Sequence, residues 1–157
     1  MKMKTKFLLV LILMTGFKAN AQTNANPPKQ IAMKINAGII TSKIEESKTF
    51  YTEILDFNVT FENEFYLLLG QGNQPSVLSF LLPDHPTQQP VFQPAFKGEG
   101  MYLTIEVDDV DALYEKMLNR NIKIEIEIRD EPWGDRHFAI KDPNGIGIDI
   151  VEYHRPE

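Results

Sequence analysis

The sequence predicts an α+β domain built from two successive βαβββ units, and two observations carry that prediction. First, Ile35-Asn36-Ala37-Gly38-Ile39-Ile40 and Met101-Tyr102-Leu103-Thr104-Ile105-Glu106 are short strands of the same character, about 66 residues apart, each followed by a helix start. Second, each helical stretch gives way to three segments of strand-like sequence. Internal repetition decides architecture more firmly than local propensity, so the two halves are expected to fold alike.

Residues 1–21 stand apart from that repeat and read as a signal peptide. Lys2, Lys4 and Lys6 form a positive start, Phe7 to Phe17 an apolar run, and Ala19-Asn20-Ala21 the small-x-small pattern cleaved by a signal peptidase. The run falls well short of the roughly 20 apolar residues that span a bilayer. An exported chain, periplasmic or secreted, is therefore expected, with cleavage before Gln22. There is no cysteine, so neither a lipid-modified terminus nor a disulfide framework is available, and the core alone must hold the fold. Four of the 16 basic residues (Lys2, Lys4, Lys6 and Lys18) lie in this segment, so the mature chain would carry 12 against 22 acidic residues, a net charge near −10. Such a balance disfavours nucleic acid and anionic membrane surfaces as partners.

Residues 22–32 contain Pro27-Pro28 and no hydrophobic period, as expected of a disordered tether. Residues 33–157 are the expected domain, long enough for one core. Its first strand alternates apolar residues. Ser42-Lys43-Ile44-Glu45 then has the form of a capping box, and Ile44, Phe50, Tyr51, Ile54 and Leu55 recur at helical spacing. Asp56 sits where the chain must leave the helix, a left-handed position that Asp tolerates. Phe57 to Glu62, Phe65 to Leu69 and Val77 to Leu82 complete the first unit as strands. Pro83 to Gly100, with four prolines, forbids helix or central strand and divides the domain.

The second unit repeats the plan. Asp108-Asp109-Val110-Asp111 supplies a helix N-cap and first-turn carboxylate. Val110, Leu113, Tyr114, Met117 and Leu118 form the buried stripe, and Asn121 stands where Asp56 stood. Ile122, Ile124, Ile126 and Ile128 alternate with charged residues, the period of a half-buried strand. Arg136 to Lys141 and Ile146 to Val151 are joined through Asp142-Pro143-Asn144-Gly145, in which Pro sets φ and Asn-Gly supplies positive φ, giving a hairpin.

These residues resemble a known family. Phe50-Tyr51-x-x-x-Leu55-x-Phe57 is similar to the helix-to-strand signature of the first module of the vicinal oxygen chelate superfamily, which includes glyoxalases, bleomycin-resistance proteins and extradiol dioxygenases. Val107-x-Asp109-Val110-Asp111 resembles the opening of its second module. Trp133-Gly134-x-Arg136-x-Phe138-x-x-x-Asp142-Pro143-x-Gly145 resembles the closing hairpin of its bleomycin-resistance-like and glyoxalase-like members. The match covers about Met33 to Tyr153. It implies a U-shaped, open eight-stranded mixed sheet with helices outside and a ligand cleft inside, often in a homodimer. It does not fix the chemistry, because one scaffold here serves lyases, isomerases, dioxygenases and binders.

Strand parity points to the cleft residues. With Met101, Leu103, Ile105 and Val107 packed on a helix, Tyr102, Thr104 and Glu106 face the other way. With Ile146, Ile148 and Ile150 packed, Gly147, Asp149 and Val151 face away, and on the first strand Asn36, Gly38 and Ile40 do so. All are expected on one shared surface. Carried over from the resemblance, the family's metal-ligand positions fall on Asn36, Tyr102, Asp149 and, less directly, Ser79. Asn is a weak neutral donor, Tyr and Ser are poor ligands for these metals, and only Asp149 keeps a suitable carboxylate. No metal and no other cofactor is expected.

Other candidates are open in role. His137 either faces the cleft or is a half-exposed strand histidine, and His85 and His154 have no ligand spacing with it. Asp149 and Glu106 form either an acid/base pair or a solvated acidic lining. Trp133, beside Arg136, either stacks on a flat or cationic ligand or seals the sheet edge. Phe92 and Phe96 form either a lid or a dimer contact. The leading expectation is a metal-free small-molecule binder using Asn36, Tyr102, Glu106, Trp133, His137 and Asp149. The alternative is a lyase or isomerase acting on a small carbonyl compound, with an acidic base and a weakly held metal.

Overall fold

The computed structural model describes residues 33–154. The expected signal peptide and tether lie outside the described residues. In chain order the elements are β1 (Ala37–Ile40), α1 (Ile44–Thr49) running on as a π-helical turn (Phe50–Ile54), β2 (Asn58–Glu62), β3 (Tyr66–Gln71) and β4 (Gln74–Leu81). The second module comprises β5 (Tyr102–Glu106), α2 (Val110–Asn119), β6 (Ile124–Asp130), β7 (Asp135–Lys141) and β8 (Gly147–Tyr153). A single 3-10 turn, Pro90–Phe92, interrupts the proline-rich connection. The protein is α+β with two βαβββ modules.

Each module folds its strands into a four-stranded mixed sheet of the same order, β1-β4-β3-β2 and β5-β8-β7-β6. The first strand of each runs parallel to the last, and the remaining ladders are antiparallel. This topology follows from sequence: the helix is the crossover that a parallel pair requires, while tight turns suffice for the antiparallel ones. β1 and β5 each occupy an edge.

Alternation decides which face is buried. Ile39, Phe80 and Leu67 share one register row, and Phe138 and Ile150 another, all 2% exposed or less. Against them pack Ile44, Tyr51 and Leu55 from the first helix and Val110 and Met117 from α2. Burying such side chains contributes about 1.5–3 kcal/mol each before chain entropy is set against it.

Several local expectations need correction. The first strand starts at Ala37 rather than Ile35, which is 91% exposed. The capping box does not form: Lys43 holds the cap position without a side-chain bond, and Thr41 Oγ1 instead accepts from the Lys43 backbone N–H at 3.0 Å. Asp109 caps α2 as expected, accepting from Ala112 N–H at 2.9 Å. Leu118 lies outside the buried stripe, 42% exposed. Asp56 and Asn121 take the left-handed conformation (φ 59° and 54°), as their places after the helices require. In the closing turn only Gly145 has positive φ (87°), and the Asn144 side chain is used for bonding instead.

The modules meet on their helical side. Asn144 of the β7–β8 turn accepts from Thr41 Oγ1 (2.7 Å) and donates to Ser47 Oγ (2.9 Å). Tyr51 donates its hydroxyl to the buried Asp142 carboxylate at 3.2 Å. Lys116 of α2 and Arg120 at its C-terminal cap reach the Asp56 carboxylate and the Glu53 carbonyl. The opposite faces of both sheets carry the candidate chemistry.

Candidate functional site

The face predicted from strand parity exists, but it is divided between two sheets. In the first module Gly38, Ser79 and Leu68 form one row and Ile40, Leu81 and Tyr66 the next. Asn36 enters this face from just before β1: its amide oxygen accepts from Ser79 Oγ (3.0 Å) and its amide nitrogen donates to Ser76 Oγ (3.1 Å). Asn36, Gly38, Ile40, Tyr66, Ser79 and Leu81, together with Gln88 and Phe92 from the proline-rich connection, line a depression of about 400 Å³. Phe92 thus lies over the face as a lid would. Phe96 does not: it packs on the core and donates its backbone N–H to Ile40.

The connection is folded on itself before it reaches the face. Asp84 N–H bonds the Gln93 carbonyl (3.1 Å), and the His85 ring stacks on Phe65 with centroids 3.9 Å apart. Gly38 matters by its smallness, since a Cβ there would stand 3.3 Å from Ser79 Oγ.

The second module presents a different chemistry. Glu106, Val151 and His137 share one row and Thr104, Asp149 and Ala139 the next, with Tyr102 beside Gly147 beyond them. Tyr102 is 71% exposed. His137 is held between two carboxylates: Nδ1 is 2.7 Å from Asp149 Oδ1 and Nε2 is 3.1 Å from Glu131 Oε1. Partial burial works against the charged ring, but hydrogen bonding to both carboxylates and their charge outweigh it, so the His137 pKa is raised above the usual histidine value. Arg129 bonds Glu131 in turn and holds its carboxyl below the usual range.

Trp133 tops the β6–β7 turn, 70% exposed, its indole N–H donated to Asp135 Oδ2 at 2.8 Å. Exposure to that degree is a poor fit to edge-sealing. Its expected neighbour is engaged elsewhere: Arg136 points to the helix side and pairs with Asp111 (2.7 Å) and Asp130 (3.2 Å). His85 bonds Thr87 and stacks on Phe65, and His154 stands 3.9 Å from Glu152.

Sequence reasoning missed Tyr66, Leu81 and Gln88 on the first face and Glu131 on the second. Glu131 follows β6 in the Glu131-Pro132-Trp133-Gly134 turn, where strand parity no longer predicts direction. Strand parity on β3 and β4 is the signal that could have found Tyr66 and Leu81.

The donor set at the family's ligand positions does not suit a metal. Asn36 and Ser79 are bonded to one another, Tyr102 stands out in solvent, and Asp149 is engaged by His137. These positions are also split between the two sheets. Among the described residues no group of three or more His, Asp or Glu side chains is arranged to hold an ion.

Fold and site together define a tandem-βαβββ protein whose helices join the modules and whose open sheet faces carry the candidate binding groups. The family model described as the glyoxalase/bleomycin resistance protein/dioxygenase superfamily matches residues 30–150. The chain belongs to that superfamily. Among solved structures it is similar to TnmS3, an antibiotic binding protein from Streptomyces sp. CB03234, with 23% identity over 79% of this chain and 99% of that one (TM-score 0.59). It is also similar to a bleomycin resistance determinant encoded on the transposon Tn5, with 18% identity over 79% and 100% of the two chains (TM-score 0.56). A lactoylglutathione lyase from Agrobacterium tumefaciens is similar as well, with 18% identity over 80% and 95% (TM-score 0.61). At these identities the likeness is one of fold. No curated protein matches the chain.

Proposed function

We propose that this chain is an exported small-molecule-binding protein that takes its ligand between an apolar face and an acidic, aromatic one, without a resident metal. The observation that carries the reading is the unequal chemistry of the two faces. The first module offers Ile40, Leu81, Tyr66 and Phe92 around a depression of about 400 Å³, in which Asn36 and Ser79 are bonded to one another. The second offers Glu106, the exposed Trp133, and Asp149 in its pair with His137. A flat apolar body with a basic substituent fits that pair of surfaces by burial, stacking and charge. The antibiotic-binding and bleomycin-resistance relatives of the fold support the choice of a binder.

The same reading makes the site a shared one. Among the described residues β1 and β5 each have an edge without a partner strand, and the two faces belong to different sheets, so a second copy would bring the complementary face. The homodimer is part of the proposal.

One observation favours a second reading. The His137–Asp149 pair is an imidazole held by a carboxylate, the form of a general acid or base, and the lyase among the relatives of the fold gives it a chemical context. A lyase or isomerase acting on a small carbonyl compound is the alternative.

Titrating cationic planar compounds against the fluorescence of Trp133, the only tryptophan, tests the choice. Saturable quenching with no turnover supports the binder. Retention of about one divalent metal per chain after gel filtration, with turnover of carbonyl substrates, would transfer the case to the enzyme.

A further inference from the structure

Asn144-Gly145 is the sole Asn-Gly pair in the chain, and no functional reading above uses it. Asparagine before glycine is chemically labile, because the unhindered glycine nitrogen can attack the side-chain amide; asparagine is among the thermolabile residues for this reason. In flexible chain the reaction proceeds unaided. Here the pair sits at the junction of the modules, and every atom that must move is held.

The nucleophile would be Gly145 N, whose N–H donates to the Asp142 carbonyl at 3.0 Å. The leaving group would be Asn144 Nδ2, which donates to Ser47 Oγ and Asp142 Oδ2, both at 2.9 Å. The amide oxygen accepts from Thr41 Oγ1 at 2.7 Å. Thr41, Ser47 and Asp142 are themselves buried, so none of these bonds is readily exchanged for water. Swinging Asn144 Cγ onto Gly145 N breaks the side-chain bonds to both modules at once.

We propose that Asn144 is a deamidation site silenced by the module junction and released whenever that junction opens. In the reaction Gly145 N bonds to Asn144 Cγ, the Cγ–Nδ2 bond breaks, and Nδ2 leaves as ammonia with the proton from Gly145 N. Water then opens the succinimide to aspartate or isoaspartate. The product cannot restore the junction. Aspartate places a second carboxylate against buried Asp142 and loses the donor to Ser47, and isoaspartate lengthens the backbone of the turn. One opening event thus becomes a permanent mark, and a marked chain opens more readily.

The test is intact-mass and isoaspartate measurement on the full chain held at mildly alkaline pH. Folded protein should deamidate at Asn144 at least about tenfold more slowly than the same chain in denaturing urea, since the rate follows the open population. Thr41→Val, which removes one bond from the module-1 side, should speed the reaction several-fold while circular dichroism remains native. Urea below the unfolding transition should raise the wild-type rate in the same way, so the test stands even if that variant does not fold. Equal rates in folded and unfolded chain would overturn the proposal. So would a native-like Thr41→Val protein, or wild type in subdenaturing urea, reacting no faster than untreated wild type.

Discussion

At His137 both ring nitrogens face carboxylates, and a neutral imidazole has only one N–H to give. Both contacts are satisfied together only in the protonated ring, in keeping with its raised pKa. The sign follows by linkage: a folded-state pKa above the unfolded one gives stability that is complete below the unfolded value of 6.5 and is lost as pH rises through the folded value. Melting temperature should therefore fall between neutral and mildly alkaline pH, and His137→Asn should remove that slope. An identical slope in the variant would place the titration elsewhere.

Trp133 and Asp149 separate binding from catalysis at the same scale. Trp133 is mostly solvent-exposed, so Trp133→Ala should leave the melting temperature nearly unchanged while weakening a stacked ligand by about 1–3 kcal/mol. Calorimetric titration checks it. Asp149→Asn keeps the shape and removes the charge. A binder of cations should lose affinity, and an enzyme using the carboxylate as base should lose about 10²-fold or more in turnover with binding retained. The sequence made Asp149, Glu106 and Tyr102 legible because period-two alternation assigns a face without knowledge of the partner strand. It left Glu131 hidden because a turn has no period, and it joined Trp133 to Arg136 on adjacency alone, although an odd-even step sends Arg136 to the helix side.

Element ends were legible wherever backbone sterics decide them. Asp56 and Asn121 close the two helices in the left-handed region, and Asn121 N–H bonds back to Leu118 while Ile122 N–H bonds Met117. Asn121→Val should cost about 1–2 kcal/mol by thermal or urea unfolding, whereas Asn121→Gly should be neutral or stabilising. A Val variant as stable as wild type would mean that the turn relaxes without strain. The first helix was harder to read, because its start and its finish depend on tertiary neighbours. Thr41 Oγ1 accepts from the Lys43 N–H, and no side chain caps the helix as Ser42 was expected to. The π-helical turn over Phe50–Ile54 surrounds Tyr51, which is fully buried, meets Phe57 edge-on and reaches Asp142 of the other module. Its hydroxyl is held far from ionisation by burial first and by Asp142 second. No spacing within residues 44–55 reports a partner some ninety positions away.

On the scale of the whole molecule, repetition predicted two alike modules, yet it could not say how they are joined, since that depends on Asn144, Asp142 and the ends of both helices rather than on either repeat. In the proposed homodimer the apolar face of one sheet is matched by the acidic face of the other from a second copy, which mixing can test. Gly38→Val should fill the first-module depression, where even a Cβ stands 3.3 Å from Ser79 Oγ, and Trp133→Ala should spoil the second-module face. If each site combines the first module of one copy with the second module of its partner, each variant alone binds poorly. A mixed dimer then holds one site with both faces damaged and one with both intact. Refolding the two variants together in equal amounts produces mixed dimers as half of the population, so about one quarter of the wild-type sites should return, counted by calorimetric titration with the same ligand. If instead each site lies within one chain, every chain in the mixture carries a damaged face, and no binding returns at any ratio.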